Sequence, residues 1–578
     1  MKKKKIVSLM MSAMMFLPVV SGVAACGGNG NTTVISLYNF DGGVGSEWLD
    51  AATSAFQTWA LENNKSYEEG KTGVSFDIDK AMNLNAATMD TAGYNIYLDE
   101  VQTNVRSFST QGLLTDISDV LTDSLEEFGE SGTIEAKIDP TYRYTLTGSD
   151  GKYYGLPYYE TYPGLTYDIE TFVEYDLYIA APEATNVETV SKYGKEVKFL
   201  VGEGKKSCGN DGVCGTADDG LPTSMVELLS LCYRMTTGGR TIKPFQITGM
   251  PSNRNYSTYL IEALWTSLAG YDAMRTNYTF DNDALVVVQD GEDNFSAENL
   301  FTGIDYIKKP KTETIEVTEA NGYRVYDMVE RYYATAFLEI IEKEGWFASD
   351  ATSDSVSNTD AQNNFIFSLS QNNPMGMLID GSYWYQESER RGFFNDYYTY
   401  AQTNDRKLGW MSLPTSLYDS VQEGQPREQA LLEMSHSYVT LNKASLQGNS
   451  GLEKACKDFL KFMYTNEQLR SFTAITGIPK GRVAYSMAGK ESELSTYQKS
   501  VWDLRNTCKI VYAGAPNETF YKKQQSLELS ANIGLFRPFY NGTQYDSYWS
   551  VMRWNTAKVG DGISEEIFEV GRLRASSW

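Results

Sequence analysis

The sequence predicts an α/β protein of at least two domains, and three observations carry that expectation. A chain of 578 residues is too long to gather around one hydrophobic core. From Thr33 the pattern TVISLYNF reads as strand and leads into a glycine-rich loop over 41–45. Trp48, Ala52, Phe56 and Trp59 then recur at helical spacing, with Ser46 placed as N-cap. Segments 73–79 (GVSFDID) and 94–100 (YNIYLDE) read as further strands of the same layer. The third observation is the stretch 150–168, DGKYYGLPYYETYPGLTYD. Pro157 cannot donate to a sheet ladder, and Gly155 and Gly164 permit backbone angles that other residues avoid. So punctuated a segment reads as a strand crossing from one body of the protein to another. A core strand with turns at both ends is the competing reading.

The chain begins as a targeting segment: Lys2 to Lys5, an apolar run over 6–20, then Ser21-Gly22-Val23-Ala24-Ala25-Cys26. Small residues directly before a cysteine resemble the bacterial lipobox, which implies removal of 1–25 and lipidation of Cys26 on the extracellular face of the cell membrane. An uncleaved transmembrane anchor is the alternative. Residues 26–33 read as a flexible tether. The formal charge of −25 repels phosphate backbones and anionic headgroups, so a nucleic acid partner is not expected. Tyr is abundant, 40 residues against 25 Phe and 10 Trp, and a polar-tipped aromatic suits wet binding surfaces.

Several chemistries lack their residues. His436 is the single histidine, and no G-x-S-x-G elbow accompanies it. A zinc site without histidine needs clustered cysteines, which C-x5-C is not. Paired carboxylates could serve a glycosidase, but among 75 acidic residues a pair signifies nothing by itself. The loop 208–222, CGNDGVCGTADDGLP, offers Asn210, Asp211, Asp218 and Asp219 as oxygen ligands, a chemistry calcium prefers, although the spacing is not that of an EF-hand. An acidic solvated turn explains the same composition. Cys208 and Cys214 are close enough in sequence for a small disulfide loop in an oxidising exterior. Ser224 and Glu227 form a capping box before a helix whose stripe is Met225, Leu228, Leu229, Cys232 and Met235. Cys232 and Cys456, the latter on the stripe Leu452, Phe459, Leu460, Met463, are expected in cores rather than as ligands.

The motif DGKYYGLP followed by GLTYD resembles the family 1 extracellular solute-binding proteins of ABC importers, which include maltose- and oligosaccharide-binding proteins. GMLIDGSYWYQ (376–386), GWMSLPTS (409–416), SHSYVTLNKAS (435–445), TGIPKGR (476–482) and YDSYWSVMRW (545–554) follow in that family's order. The resemblance implies a two-lobed periplasmic-binding-protein-like α/β fold (type II). Lobe 1 would comprise about 34–161 plus 440–505, and lobe 2 about 162–439 plus 506–578, with 282–322 as an insertion. It also implies a ligand cleft. Asn39 and Asp41 would face it from the loop after the first strand, and Asp99 and Glu100 from a second loop. Tyr159, Glu160 and Tyr162 would line it at the first crossover, and Tyr256, Tyr259, Tyr383, Trp384, Tyr385 and Trp549 would supply aromatics. If 383–385 is extended, Tyr383 and Tyr385 share one side and Trp384 takes the other. Trp265 is expected to pack in the core. The implied function is capture of a carbohydrate by a monomeric, membrane-anchored receptor for delivery to an ABC permease, without a cofactor other than a possible structural calcium. A secreted glycoside hydrolase, or a binding protein for peptides or for sensor signalling, remains open. The lipobox reading is checked by fractionation. Cys26→Ser should release the protein from membranes or leave it unprocessed, whereas normal maturation with membrane retention would favour a transmembrane anchor.

Overall fold

The computed structural model describes residues 31–80, 93–99, 105–250, 256–289, 294–351, 353–434, 437–523, 539–540, 545–546 and 562–575. Cys26, Glu100, His436 and Trp549 lie outside them, and of Asp99 only the backbone is described.

Two sheets organise the chain. In the first, the strands run in the order Val74–Asp79, Thr33–Asn39, Ile96–Asp99, Tyr438–Leu441, Gly155–Pro157. The first three are parallel, and Tyr438–Leu441 is antiparallel to both of its neighbours. Parallel neighbours need a long crossover, which the helix Glu47–Glu62 supplies by burying Trp48, Ala52 and Phe56. The second sheet runs Leu408–Trp410, Pro163–Asp168, Met375–Gly381, Lys243–Gln246. Pro163–Asp168 and Met375–Gly381 are buried at every residue, so their sequences show no alternation. Each sheet has its own hydrophobic core, one containing Ile35, Phe56, Leu156 and Val439, the other Leu165, Met225, Trp265 and Ile379. These are two lobes.

Several local expectations meet the structure directly. Ser224 and Glu227 close a capping box on the helix Met225–Met235, and Cys232 and Cys456 are fully buried. Others differ. Ser46 occupies the N-cap position, but its hydroxyl donates to Asp41 rather than capping the helix. The helix at Tyr256–Thr279 is broken at Gly270, whose φ of +77° no other residue adopts easily. The insertion folds as two antiparallel ribbons, Asp283–Val287 with Thr312–Glu316 and Phe295–Phe301 with Ile304–Pro310.

The lobes are joined by crossing segments that lie side by side. Tyr158 donates its N–H to Ser437 O at 3.0 Å, Glu160 to Pro479 O at 3.0 Å, and Met434 to Thr161 O at 3.0 Å. The third crossing falls between Val483, in the first core, and Tyr497, in the second. The lobe boundary expected at 505 therefore moves upstream, because the helix Thr496–Thr507 turns Tyr497 and Val501 into the second core. A charged quartet gathers here, with Glu160, Glu433 and Arg482 buried and Arg505 half-buried. Glu433 pairs with Arg482, Arg505 lies 3.4 Å from Glu160, and Arg482 N donates to Glu160 at 2.8 Å.

Beside the crossover, Lys480 is 1% exposed with its ammonium ringed by Trp48 (4.6 Å), Tyr158 (4.9 Å), Tyr464 (5.4 Å) and Phe472 (4.5 Å). Its Nζ makes no hydrogen bond, and burial lowers its pKa to about 7. The ring faces recover part of the lost hydration, but three N–H donors without an acceptor leave desolvation dominant. Because the unfolded lysine titrates near 10.4, the unfolded state binds more protons between about pH 7 and 10. Lys480 therefore costs stability as pH falls through that window and costs it fully below it. Lys480→Met should stabilise by about 1–3 kcal/mol near pH 6 and flatten the dependence between about pH 7 and 9 in denaturant unfolding.

Candidate functional site

The strand Met375–Gly381 ends at the face between the lobes, where open-sheet proteins place ligands. The backbone turns helical at Trp384, so alternation does not govern 383–385. Tyr383 stays on the interlobe face. It is half-buried and packs against both hydrophobic cores. Trp384 and Tyr385 instead enter the second core. Trp384 is 0% exposed, with its indole N–H on Thr166 Oγ1 at 2.7 Å, and Tyr385 stacks on Tyr497 at 4.9 Å. Those two expected ligand aromatics are packing residues.

Tyr383 is held by Tyr256 and Tyr259. The Tyr383 and Tyr256 hydroxyls are 3.0 Å apart, the Tyr259 hydroxyl is at 3.5 Å, and the Tyr256 and Tyr259 rings approach to 4.8 Å. Burial, followed by the neighbouring hydroxyls and Asp380, pushes the Tyr383 pKa well above the usual phenol range, so this cluster keeps its protons and its donors. Burial likewise raises Asp380, which accepts from Gln362 at 3.1 Å behind the strand end. Opposite stands the loop 40–47 of the first lobe. A Cβ on Gly43 would lie 3.0 Å from the Tyr383 ring, so the two surfaces meet here with little room to spare.

The remaining expected residues divide by where their polar atoms go. Asn39 is fully buried, its carbonyl accepting from Tyr158 at 2.7 Å and its amide donating to Ser46 at 3.0 Å. Asp41 accepts from Ser46 at 2.6 Å and, across the lobes, from Arg390 at 2.9 Å. Glu160 is 0% exposed and spends its oxygens on Tyr162, Arg482 N and Arg505. Tyr159 and Tyr162 are 3% and 0% exposed. These three stand as hinge struts rather than as cleft wall. Sequence reasoning missed Arg390, which a solvated helical arginine in SERRGFF would resemble in every local respect.

The oxygens of the acidic loop are taken up by local hydrogen bonds. Asp218 accepts from Asn210 N at 2.7 Å and Thr216 at 2.8 Å, Asp211 from Val213 N at 2.8 Å, and Asp219 from Gly215 N at 2.7 Å. Asn210 donates to Leu413 O at 2.7 Å. Among the described residues the one cluster of metal-type side chains is Cys208, Cys214 and Glu423, and those cysteines are joined as a disulfide. The loop forms one wall of a cavity of about 440 Å³ within the second lobe, beside Trp410 and Lys499.

No protein family and no curated protein matches the chain. Solved structures do. The SBP RafE in complex with raffinose aligns with a TM-score of 0.50 at 12% identity, covering 94% of this chain and 100% of that one. The apo form of RafE from Streptococcus pneumoniae aligns at 0.50 and 12%, covering 95% and 99%. The likeness establishes the fold: this chain is an α/β protein of the two-domain solute-binding architecture.

The acidic loop gives a direct test. Chelation should leave the melting temperature unchanged, whereas reduction of Cys208–Cys214 should cost about 2 kcal/mol, the loop-entropy value for so short a ring. A melt lowered by chelator and restored by calcium would overturn this account.

Proposed function

We propose that this protein is a non-catalytic receptor that captures a carbohydrate between its lobes and delivers it, from a lipid anchor at Cys26, to an ABC importer. The observation that carries the reading is Tyr383, packed against both cores at the interlobe face and held from behind by the buried Tyr256 and Tyr259. Sugars present C–H faces that stack on aromatic rings and hydroxyls that exchange hydrogen bonds with phenols. The architecture it shares with RafE, solved with raffinose, supports the same direction.

Thermal shift against a panel of mono- and oligosaccharides, followed by product analysis, tests the proposal. A ligand at 100 times its dissociation constant adds about 2.7 kcal/mol, and the recovered sugar should be intact. Cleaved products would turn the assignment to a glycoside hydrolase, and silence across the panel would refute sugar binding. Tyr383→Ala should weaken affinity roughly 30-fold, about 2 kcal/mol, with little change in the ligand-free melt. A loss of about 3–5 kcal/mol of folding stability with unchanged affinity would make Tyr383 a packing residue.

A further inference from the structure

Arg390 ends the helix Trp384–Arg390 in the second lobe, yet its guanidinium is spent on the first. Nη2 donates to Asp41 Oδ1 at 2.9 Å, Nη1 to Gly42 O at 2.7 Å, and Nε lies 3.3 Å from Glu47 Oε2. The receiving loop is shaped for it. Gly45 has a φ of +82°, and a Cβ there would stand 2.5 Å from Arg390 Nε. Asp41 is fixed in turn by a donor chain, Tyr158 to Asn39 to Ser46 to Asp41, which begins at the crossover. Just inside, the Tyr383 ring lies on Gly43 with no space for a ring-sized ligand between them.

We infer that Arg390 is a latch: it holds the lobes closed in the ligand-free protein, with Tyr383 filling the gap that a ligand would otherwise enter. The latch deepens the proposed function, because a ligand bound at Tyr383 must displace Gly43 and therefore compete with Arg390. Among the described residues, the other ion pair joining the lobes away from the crossovers is Arg106 with Glu518, and the Glu518 side chain is 55% exposed. Solvent weakens such a pair, as it weakens the Arg390 contact with Glu47, whose side chain is 60% exposed. Arg390 makes two further charge-assisted contacts, to Gly42 O and to Asp41, at side-chain exposures of 23% for itself and 26% for Asp41. Loss of the latch should shift the closed-to-open ratio roughly 5- to 30-fold.

Small-angle X-ray scattering without any sugar decides the matter. Wild type in about 0.02 M salt should be compact and should expand near 1 M, where the screening length falls to about 3 Å. Arg390→Met should show the expanded radius of gyration at both salt concentrations, and Asp41→Asn, on the facing lobe, should expand likewise. An Arg390→Met protein that melts like wild type and keeps its low-salt radius overturns the latch. Should Arg390→Met fail to fold, Asp41→Asn provides the same readout. Open variants alongside a silent sugar panel would leave the latch standing and the proposed function refuted. Compact variants that bind sugar would do the reverse.

Discussion

The buried charges at the crossovers are the constraint on which the rest depends. Glu160 and Glu433 are fully buried, and Arg482 and Arg505 are drawn in to meet them. Burial alone would lower the Arg505 pKa, but Glu160 and the surrounding tyrosine oxygens outweigh it and leave the guanidinium firmly charged. Neutral as a set, the four are costly to disturb singly, since a buried partner left alone costs about 3–5 kcal/mol. They come from three different crossing regions of the chain. Holding them together fixes how those segments lie against one another, and hence which edges of the two sheets face across the gap.

That constraint explains what the sequence could and could not disclose. Caps and stripes are local, so the capping box at Ser224 and the buried faces of Met225–Met235 could be read before any fold was known. Short apolar aromatic runs are not. SYWY fits a strand or the start of a helix, and the helix at Trp384 sends two of its three rings into the core. Glu160 shows the limit most plainly. A carboxylate among tyrosines suits a sugar cleft, but its partner Arg482 stands 322 residues away, and no spacing near Glu160 announces it.

The acidic loop shows the same ambiguity within a dozen residues. Glycine, asparagine and aspartate build calcium cages because their oxygens can converge, and they build tight turns because the same oxygens accept nearby backbone N–H groups. Here the second use prevails. Asp211, Asp218 and Asp219 each accept a backbone N–H within eight residues, and the Cys208–Cys214 bridge closes a ring that contains Asp211. Composition is identical in the two cases, so geometry alone decides.

The choice of tyrosine at the interlobe face follows from a demand that a fixed core never meets. A residue inside one lobe has one environment, and Phe or Leu satisfies it. Tyr383 packs against both cores, so any parting of the lobes transfers its ring from protein to water. An all-apolar ring would resist that transfer with its full hydrophobic area and bias the molecule shut. A phenol keeps its hydrogen bond to Tyr256, which belongs to the same lobe, and gains water as a further partner when the lobes part. The hydroxyl thus narrows the free-energy gap between the two arrangements. With that gap small, the remaining balance rests on polar contacts at the rim, where Arg390 and Asp41 are found.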